Sequence, residues 1–321
     1  MLYCHKFFKH FNFEPKSILP CCDIRGVGVP SFPFAGGGLD IESYATHILT
    51  VFKELQTGAG YCKGCPELTV MPEALPGSFV ATFEFNSISI NHHRYFCNCR
   101  CIYCDLWHPK NAANAQQPYS LLPTLKQLES NRLLASNCAI SWGGGEPTIL
   151  DEFEEASTWL MEAGYFQYVH TNALQVSPAL AKVLSAGKGR INVSLDSFDV
   201  ASYRRVKGVE GWKAVVASLE QYMDAAIAPG QIDLKYIIFD ATNDTKNIER
   251  FFHFCLRLGI TQVQYSHNYA EVNSKTLSEK TLLATAFFRV RSQQLGLVAE
   301  PFYIDPPMLK KIAEYERRFL S

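Results

Sequence analysis

From about Ser78 onward, the hydrophobic positions switch repeatedly between an every-second-residue rhythm and a helical one. The first strand-like stretch is Phe79 to Ile90, with Phe79, Ala81, Phe83 and Phe85 in alternation. Helical patterns cover Ser120 to Leu134, Asp151 to Ala163, Pro178 to Ser185, Trp212 to Ala226 and Asn247 to Leu258. Between them lie short strand-like runs at Cys138 to Trp142, Tyr168 to His170, Ile191 to Leu195, Ile232 to Phe239 and Gln262 to Tyr265. Strand followed by helix, about six times over, predicts an α/β fold of parallel strands joined by helical crossovers. A barrel, a partial barrel and an open sheet all satisfy that rhythm.

The flanks read differently. Residues 1–76 are rich in Gly, Pro and Cys and irregular in pattern. Their one helical stretch, Ile41 to Leu55, sets Tyr44, Ile48, Val51, Phe52 and Leu55 on one face. The expected organisation is a Cys-rich N-terminal module (1–76), a central α/β domain (77–270) and a mostly helical C-terminal extension (271–321) broken at Gly296 to Pro307.

Composition narrows the class. Of 321 residues 47% are hydrophobic, enough for a large core, and the formal net charge is −1. No basic run marks a nucleic-acid partner, and no apolar run reaches membrane-spanning length. Met1 to His10 lacks the apolar stretch of a signal peptide, so the expected location is the cytoplasm. In a reducing cytosol, 11 cysteines point to metal or redox work more than to disulfides.

Four of those cysteines fall in Cys97-Asn-Cys99-Arg-Cys101-Ile-Tyr-Cys104, just after the first strand of the alternating region. Only Cys97, Cys101 and Cys104 have the spacing C-x3-C-x2-C. Three thiolates on a short loop can hold three irons of a cuboidal cluster and leave the fourth iron open to a small molecule. Cys99 is the spare. A zinc knuckle completed by His92, His93 or Cys99 is the alternative, and it makes the chain a zinc-stabilised, non-catalytic binding module. The next strand runs into Gly143-Gly144-Gly145-Glu146-Pro147, where glycines permit close backbone approach to a ligand and Glu146 offers an acceptor for an ammonium group.

Cysteine loop and glycine run together resemble the radical SAM superfamily over roughly Phe79 to Tyr265. The resemblance implies a partial (β/α)6 TIM-like barrel, a 4Fe–4S cluster on Cys97, Cys101 and Cys104, and S-adenosylmethionine (SAM) as cofactor. It sets Tyr103 near the adenine of SAM. Gly143, Gly144, Gly145 and Glu146 then form the GGEP motif that receives the amino group of SAM. Weaker matches follow in order. Thr171-Asn172-Ala173 is similar to the family's TNG, and Ser194-Leu195-Asp196-Ser197 to its SxDG. Tyr203 to Gly208 is similar to Y-x-x-[IV]-R-G, with Lys207 replacing the arginine. Asn172, Ser194 and Lys207 are accordingly candidate SAM contacts.

By the same resemblance, the enzyme cleaves SAM reductively to a 5′-deoxyadenosyl radical that takes hydrogen from a substrate. A flavodoxin or ferredoxin is the implied electron donor. The substrate class favoured is a peptide or protein side chain, with a carbohydrate or small metabolite as the alternative. Cys21, Cys22, Cys62 and Cys65 suggest a second metal site, iron–sulfur before zinc, loosely like the auxiliary modules of some radical SAM enzymes. Cys4 is a further candidate there, while Cys138 and Cys255 read as core. His170, Lys235, Tyr236 and His267 fall on or at the ends of strands, and His170 and His267 are candidates for substrate contact.

Overall fold

The computed structural model describes residues 2–4, 6–21, 28–58, 60–62, 65, 68–70, 83–114, 118–274 and 276–320. The chain forms two compact units, Met1–Phe96 with Ala112–Tyr168, and Cys97–Asn111 with Val169–Ser321. Strands alternate with helices in both, the α/β class that the alternating rhythm predicts; the first unit mixes parallel and antiparallel pairs, and the strand pairs described in the second are parallel.

The first unit contains β1 (Leu2–Tyr3), α1 (Lys6–Lys9), β2 (His10–Glu14), β3 (Ser17–Leu19), β4 (Phe32–Pro33) and α2 (Ile41–Gln56). It continues through β5 (Thr69–Val70), β6 (Phe85–Ile90), α3 (Leu122–Ser130), β7 (Leu134–Trp142) and α4 (Phe153–Glu162) to β8 (Phe166–Thr171), within which it ends. β6 pairs in parallel with β7 (Ile88↔Ile140) and with β2 (Phe11↔Ile88). β2 returns as an antiparallel hairpin into β3, and β3 pairs with β4. The N-terminal stretch thus carries sheet where its pattern reads as irregular. Phe11 and Phe13 explain the attachment: both are fully buried, and Phe11 packs on Phe85 (5.0 Å between centroids) and on Tyr44 of α2 (4.9 Å). Asp40 caps α2 by accepting from the Ser43 N–H at 3.0 Å. The opening of the predicted first strand, Phe79 to Ala81, lies outside the described residues.

The second unit holds α5 (Pro178–Ser185), β9 (Gly189–Ser194), α6 (Val200–Lys207), α7 (Trp212–Ala225), β10 (Ile232–Ile237) and α8 (Thr245–Arg257). β11 (Gln262–Ser266), α9 (Tyr269–Ser274), α10 (Glu279–Gln294), β12 (Val298–Pro301) and α11 (Pro306–Glu316) complete it. β9, β10, β11 and β12 run parallel in that order. The break expected between Gly296 and Pro307 therefore contains an added parallel strand. Apolar and polar residues alternate along most of β9, β10 and β11. Val193, Leu234, Tyr236, Val263 and Tyr265 are buried on one face, where Tyr236 meets Phe251 of α8 (4.8 Å) and Tyr265 meets Phe288 of α10 (5.3 Å). The opposite face carries the polar residues that concern the site.

Candidate active site

The cysteine loop is held in the second unit by backbone, not by metal-ligand geometry alone. Arg100 N–H donates to Lys207 O (2.8 Å) and Ile102 N–H to Val206 O (3.0 Å), so the loop is pinned along the end of α6. Gly208 makes this approach feasible. It closes α6 at φ +69°, and a Cβ there would collide with the Arg100 carbonyl. Arg100 Nη1 also donates to Cys97 O (3.1 Å) and Cys99 O (2.9 Å), and Trp107 Nε1 to Cys101 O (3.0 Å). Asn172 Nδ2 donates to Asn98 Oδ1 (2.6 Å) and lies 4.0 Å from Cys97 Sγ.

The four thiols form one electrostatic group. The Cys101 thiol is lowered, first by a hydrogen bond from Cys99 and further by the Lys207 ammonium, against the opposing effect of burial. The Cys99 thiol is raised by its hydrogen bonds with Cys101 and Cys97 and by burial. Burial pushes the Cys104 thiol up to about 11, with the neighbouring Cys101 and Cys97 adding to the shift. Cys99 is buried at 2% exposure, whereas Cys97, Cys101 and Cys104 are partly exposed. That separates the spare cysteine from the three of the spacing motif.

Tyr103, Asp196 and Lys207 share one hydrogen-bonded network in which Asp196 and Lys207 are buried. Asp196 Oδ2 accepts from Tyr103 Oη (2.6 Å) and Lys207 Nζ (2.6 Å), and Nζ also donates to Tyr103 Oη (2.9 Å). Asp196 Oδ1 accepts from the Ile237 N–H at 2.7 Å. Burial opposes the lysine's charge, but Asp196 and the thiols of Cys101 and Cys99 outweigh it and raise its pKa. The residues read from sequence as SAM contacts, Tyr103 and Lys207, thus bind Asp196 beside Cys101. Asp196 is the member that motif reading undervalued. It adopts φ +52°, and Ala173 takes φ +54° where the family pattern has glycine. Ser194 ends β9 on the polar face, with its Cα opposite Lys235.

In the first unit, the glycine run lies against its own chain. Gly143 N–H donates to Ile90 O (3.0 Å) and Glu146 N–H to Phe96 O (2.9 Å). A Cβ on Gly145 would strike the carbonyl oxygens of Phe96 and His93, and Gly144 takes φ +87° with Arg94 Cα 3.1 Å from an added Cβ. Glu146 is 1% exposed, and its Oε1 accepts from Thr148 Oγ1 (2.7 Å) and N–H (3.2 Å). The run therefore fixes the stretch 90–96 that leads into Cys97.

His92 and His93 are buried with no hydrogen-bond partner at Nε2, and burial holds His92 near 4. His267 donates or accepts with Thr285 Oγ1 at 3.0 Å and is neutral for the same reason. Cys138 and Cys255 are buried core, as their pattern implied. Among the N-terminal cysteines, Cys62 and Cys65 close a turn (Cys65 N–H to Cys62 O, 3.0 Å), and Cys4 lies in the field of Cys65. Cys22, Lys63 and Gly64 lie outside the described residues. Among the described residues no three His, Cys, Asp or Glu side chains converge as the ligands of one metal ion would. No described helix is long and apolar enough to cross a membrane.

The sequence model of the Radical SAM superfamily matches residues 92–255, just over half of the chain. The chain belongs to the radical SAM superfamily. The GTP 3′,8-cyclase of Edwardsiella ictaluri (strain 93-146) is 23% identical over 189 residues, covering 58% of this chain and 56% of that protein. The GTP 3′,8-cyclase of Mycolicibacterium smegmatis (strain ATCC 700084 / mc(2)155) is 27% identical over 168 residues, covering 51% and 45%. The radical SAM chain thus spans about half the length of the curated relatives it matches. Streptococcus suis SuiB bound to S-adenosylmethionine shares the fold, with TM-score 0.53 and 12% identity over 86% of this chain and 59% of that one. Family membership sets aside the zinc-stabilised binding module. Radical SAM enzymes work with a 4Fe–4S cluster and SAM.

The donor set suits such a cluster. Three thiols of the C-x3-C-x2-C loop share one electrostatic environment, a buried ammonium offsets thiolate charge, and the Cys99 N–H points at Cys97 Sγ (3.4 Å). N–H donors to sulfur are the usual means by which a protein stabilises and tunes an iron–sulfur centre. Thiolates around a cube stand wider apart than ligands of a single ion.

Proposed function

We propose that Cys97, Cys101 and Cys104 hold a 4Fe–4S cluster, and that the chain cleaves SAM reductively and takes a hydrogen atom from a substrate. The single observation that carries this reading is the C-x3-C-x2-C loop pinned by backbone hydrogen bonds to α6, with the Lys207–Asp196 pair beneath Cys101. When bound, cluster and SAM together supply a 5′-deoxyadenosyl radical. The chain's own residues position and shield. Lys207 and Tyr103 act through Asp196 on the surroundings of Cys101. Asn172 and Ser194 are the proposed polar contacts to SAM from the strand ends, and Gly143 to Glu146 present backbone and a carboxylate for its amino group.

The substrate proposed is a peptide or protein side chain, and a flavodoxin or ferredoxin is the proposed electron donor. A purine nucleotide is the second reading, favoured by the likeness to GTP 3′,8-cyclases. A second iron–sulfur site at Cys21, Cys22, Cys62 and Cys65 is proposed from their spacing. Deuterium transfer into 5′-deoxyadenosine from labelled peptide or labelled GTP separates the two substrates. Transfer from neither contradicts both.

A further inference from the structure

Among the described residues, the polar face of the second unit carries one cation without a carboxylate partner. Asn192, Ser194, Asp233, Lys235, Gln264 and Ser266 alternate onto this face of β9, β10 and β11. Its other charges are paired. Asp233 meets Arg190 at 2.6 Å, and Asp196, just past β9, meets Lys207. Lys235 has no carboxylate in ion-pair contact among the described residues. Its Nζ lies over the ring of Phe302, 4.2 Å from the centroid. The neighbouring Asn192 is fully buried, and its Nδ2 donates to no partner.

His170 ties these groups into one cluster. Its Nδ1 is 3.3 Å from Asn192 Oδ1, and its ring is 5.9 Å from that of Phe302. Burial, and then the charge of Lys235, holds the imidazole neutral, near 4. Burial also draws Lys235 down to about 8, which leaves it mostly charged at neutral pH. Among the described residues neither the half-buried Lys235 ammonium nor the fully buried Asn192 amide has an acceptor. Leaving the Asn192 donor buried and unpaired is costly unless a ligand completes it.

We infer that Lys235 and Asn192, floored by Phe302, form a subsite for a carboxylate group of the substrate. The inference rests on the proposed radical SAM reading and deepens it by naming the group that orients the substrate. A carboxylate fits better than a phosphate because the subsite offers one unmatched positive charge. A phosphate near two negative charges calls for a second cation, and Arg190 and Lys207 are already engaged. This favours a substrate carrying an acidic side chain or a free carboxyl terminus.

The test uses the reconstituted full chain with acetate and inorganic phosphate as probes, and binding is followed by NMR titration. Lys235→Met should weaken acetate binding by about tenfold or more, and Lys235→Arg should retain most of it. Asn192→Ala should give a smaller loss, and phosphate should bind the wild-type chain more weakly than acetate. SAM affinity, measured by equilibrium dialysis, should be the same in Lys235→Met as in wild type. Equal acetate binding by wild type and Lys235→Met overturns the subsite, as does a preference for phosphate. A parallel loss of SAM affinity overturns it too, by placing Lys235 on SAM. A wild-type chain that holds acetate through Lys235 yet binds no SAM supports the subsite and contradicts the radical SAM reading.

Discussion

Lys207 Nζ lies 2.6 Å from Asp196 Oδ2, and neither side chain is more than 1% exposed. Such a pair is held by partners that leave no charge alone: Tyr103 Oη completes the network, and the Ile237 N–H takes the second carboxylate oxygen.

Removing one member should therefore cost more than removing both charges. Lys207→Met strands a buried carboxylate and should destabilise the chain by about 3–5 kcal/mol. Adding Asp196→Asn removes that charge and keeps an acceptor for the Ile237 N–H, so the double variant should recover part of the loss. Urea denaturation of the two variants and Asp196→Asn alone closes the cycle. Additive losses would mean that the pair is not coupled.

Gly208 offers a test of the loop's anchoring. Gly208→Ala places a methyl group against the Arg100 carbonyl at φ +69°. Gly187→Ala is the control, since φ is +65° but the nearest contact is the flexible end of Ile227 (3.2 Å). Both carry a backbone penalty of about 1–2 kcal/mol. Only Gly208→Ala should lower the iron content after reconstitution, because only it displaces the cysteine loop. Equal iron in both variants would separate the loop from α6.

The fold was legible where strands carried clean alternation or continuous apolar runs, as at Ile191, Val193, Leu234 and Val263. It was not legible at β2, where buried His10 and Asn12 interrupt the apolar signal, nor at β12, where Gly296, Pro301 and Pro306 read as a break. The cysteine loop was legible because its cysteines fall within eight residues of one another. The Tyr103–Asp196–Lys207 network was not, since Tyr103 and Asp196 stand 93 residues apart and meet only through folding. The glycine run was read for its approach to a ligand, whereas the close contacts described are with residues 91–96 of its own chain.

Acid should destabilise the protein through its buried histidines. Burial holds His267 near 4, below its unfolded value of about 6.5. The unfolded chain therefore binds the proton first. The stabilisation is complete above about pH 6.5 and is lost as pH falls toward 4. His267→Asn should flatten part of the drop in urea midpoint between about pH 7.5 and about pH 5. An unchanged slope would assign the acid sensitivity to other groups, such as His92 and His170.

The cysteines should divide by function. Cys99→Ala should retain the cluster, since Cys99 is the buried spare. Ala at Cys97, Cys101 and Cys104 together should abolish its absorbance. A cluster lost in Cys99→Ala would reassign the ligands.

The most direct test is anaerobic iron–sulfur reconstitution of the full chain, followed by reduction in the presence of SAM and quantification of 5′-deoxyadenosine. The account predicts a brown protein with at least one 4Fe–4S cluster that forms 5′-deoxyadenosine, and a Cys97, Cys101, Cys104 triple variant that forms none and binds about four fewer irons per chain. A colourless zinc protein, or a cluster-loaded chain that forms no 5′-deoxyadenosine, would contradict it.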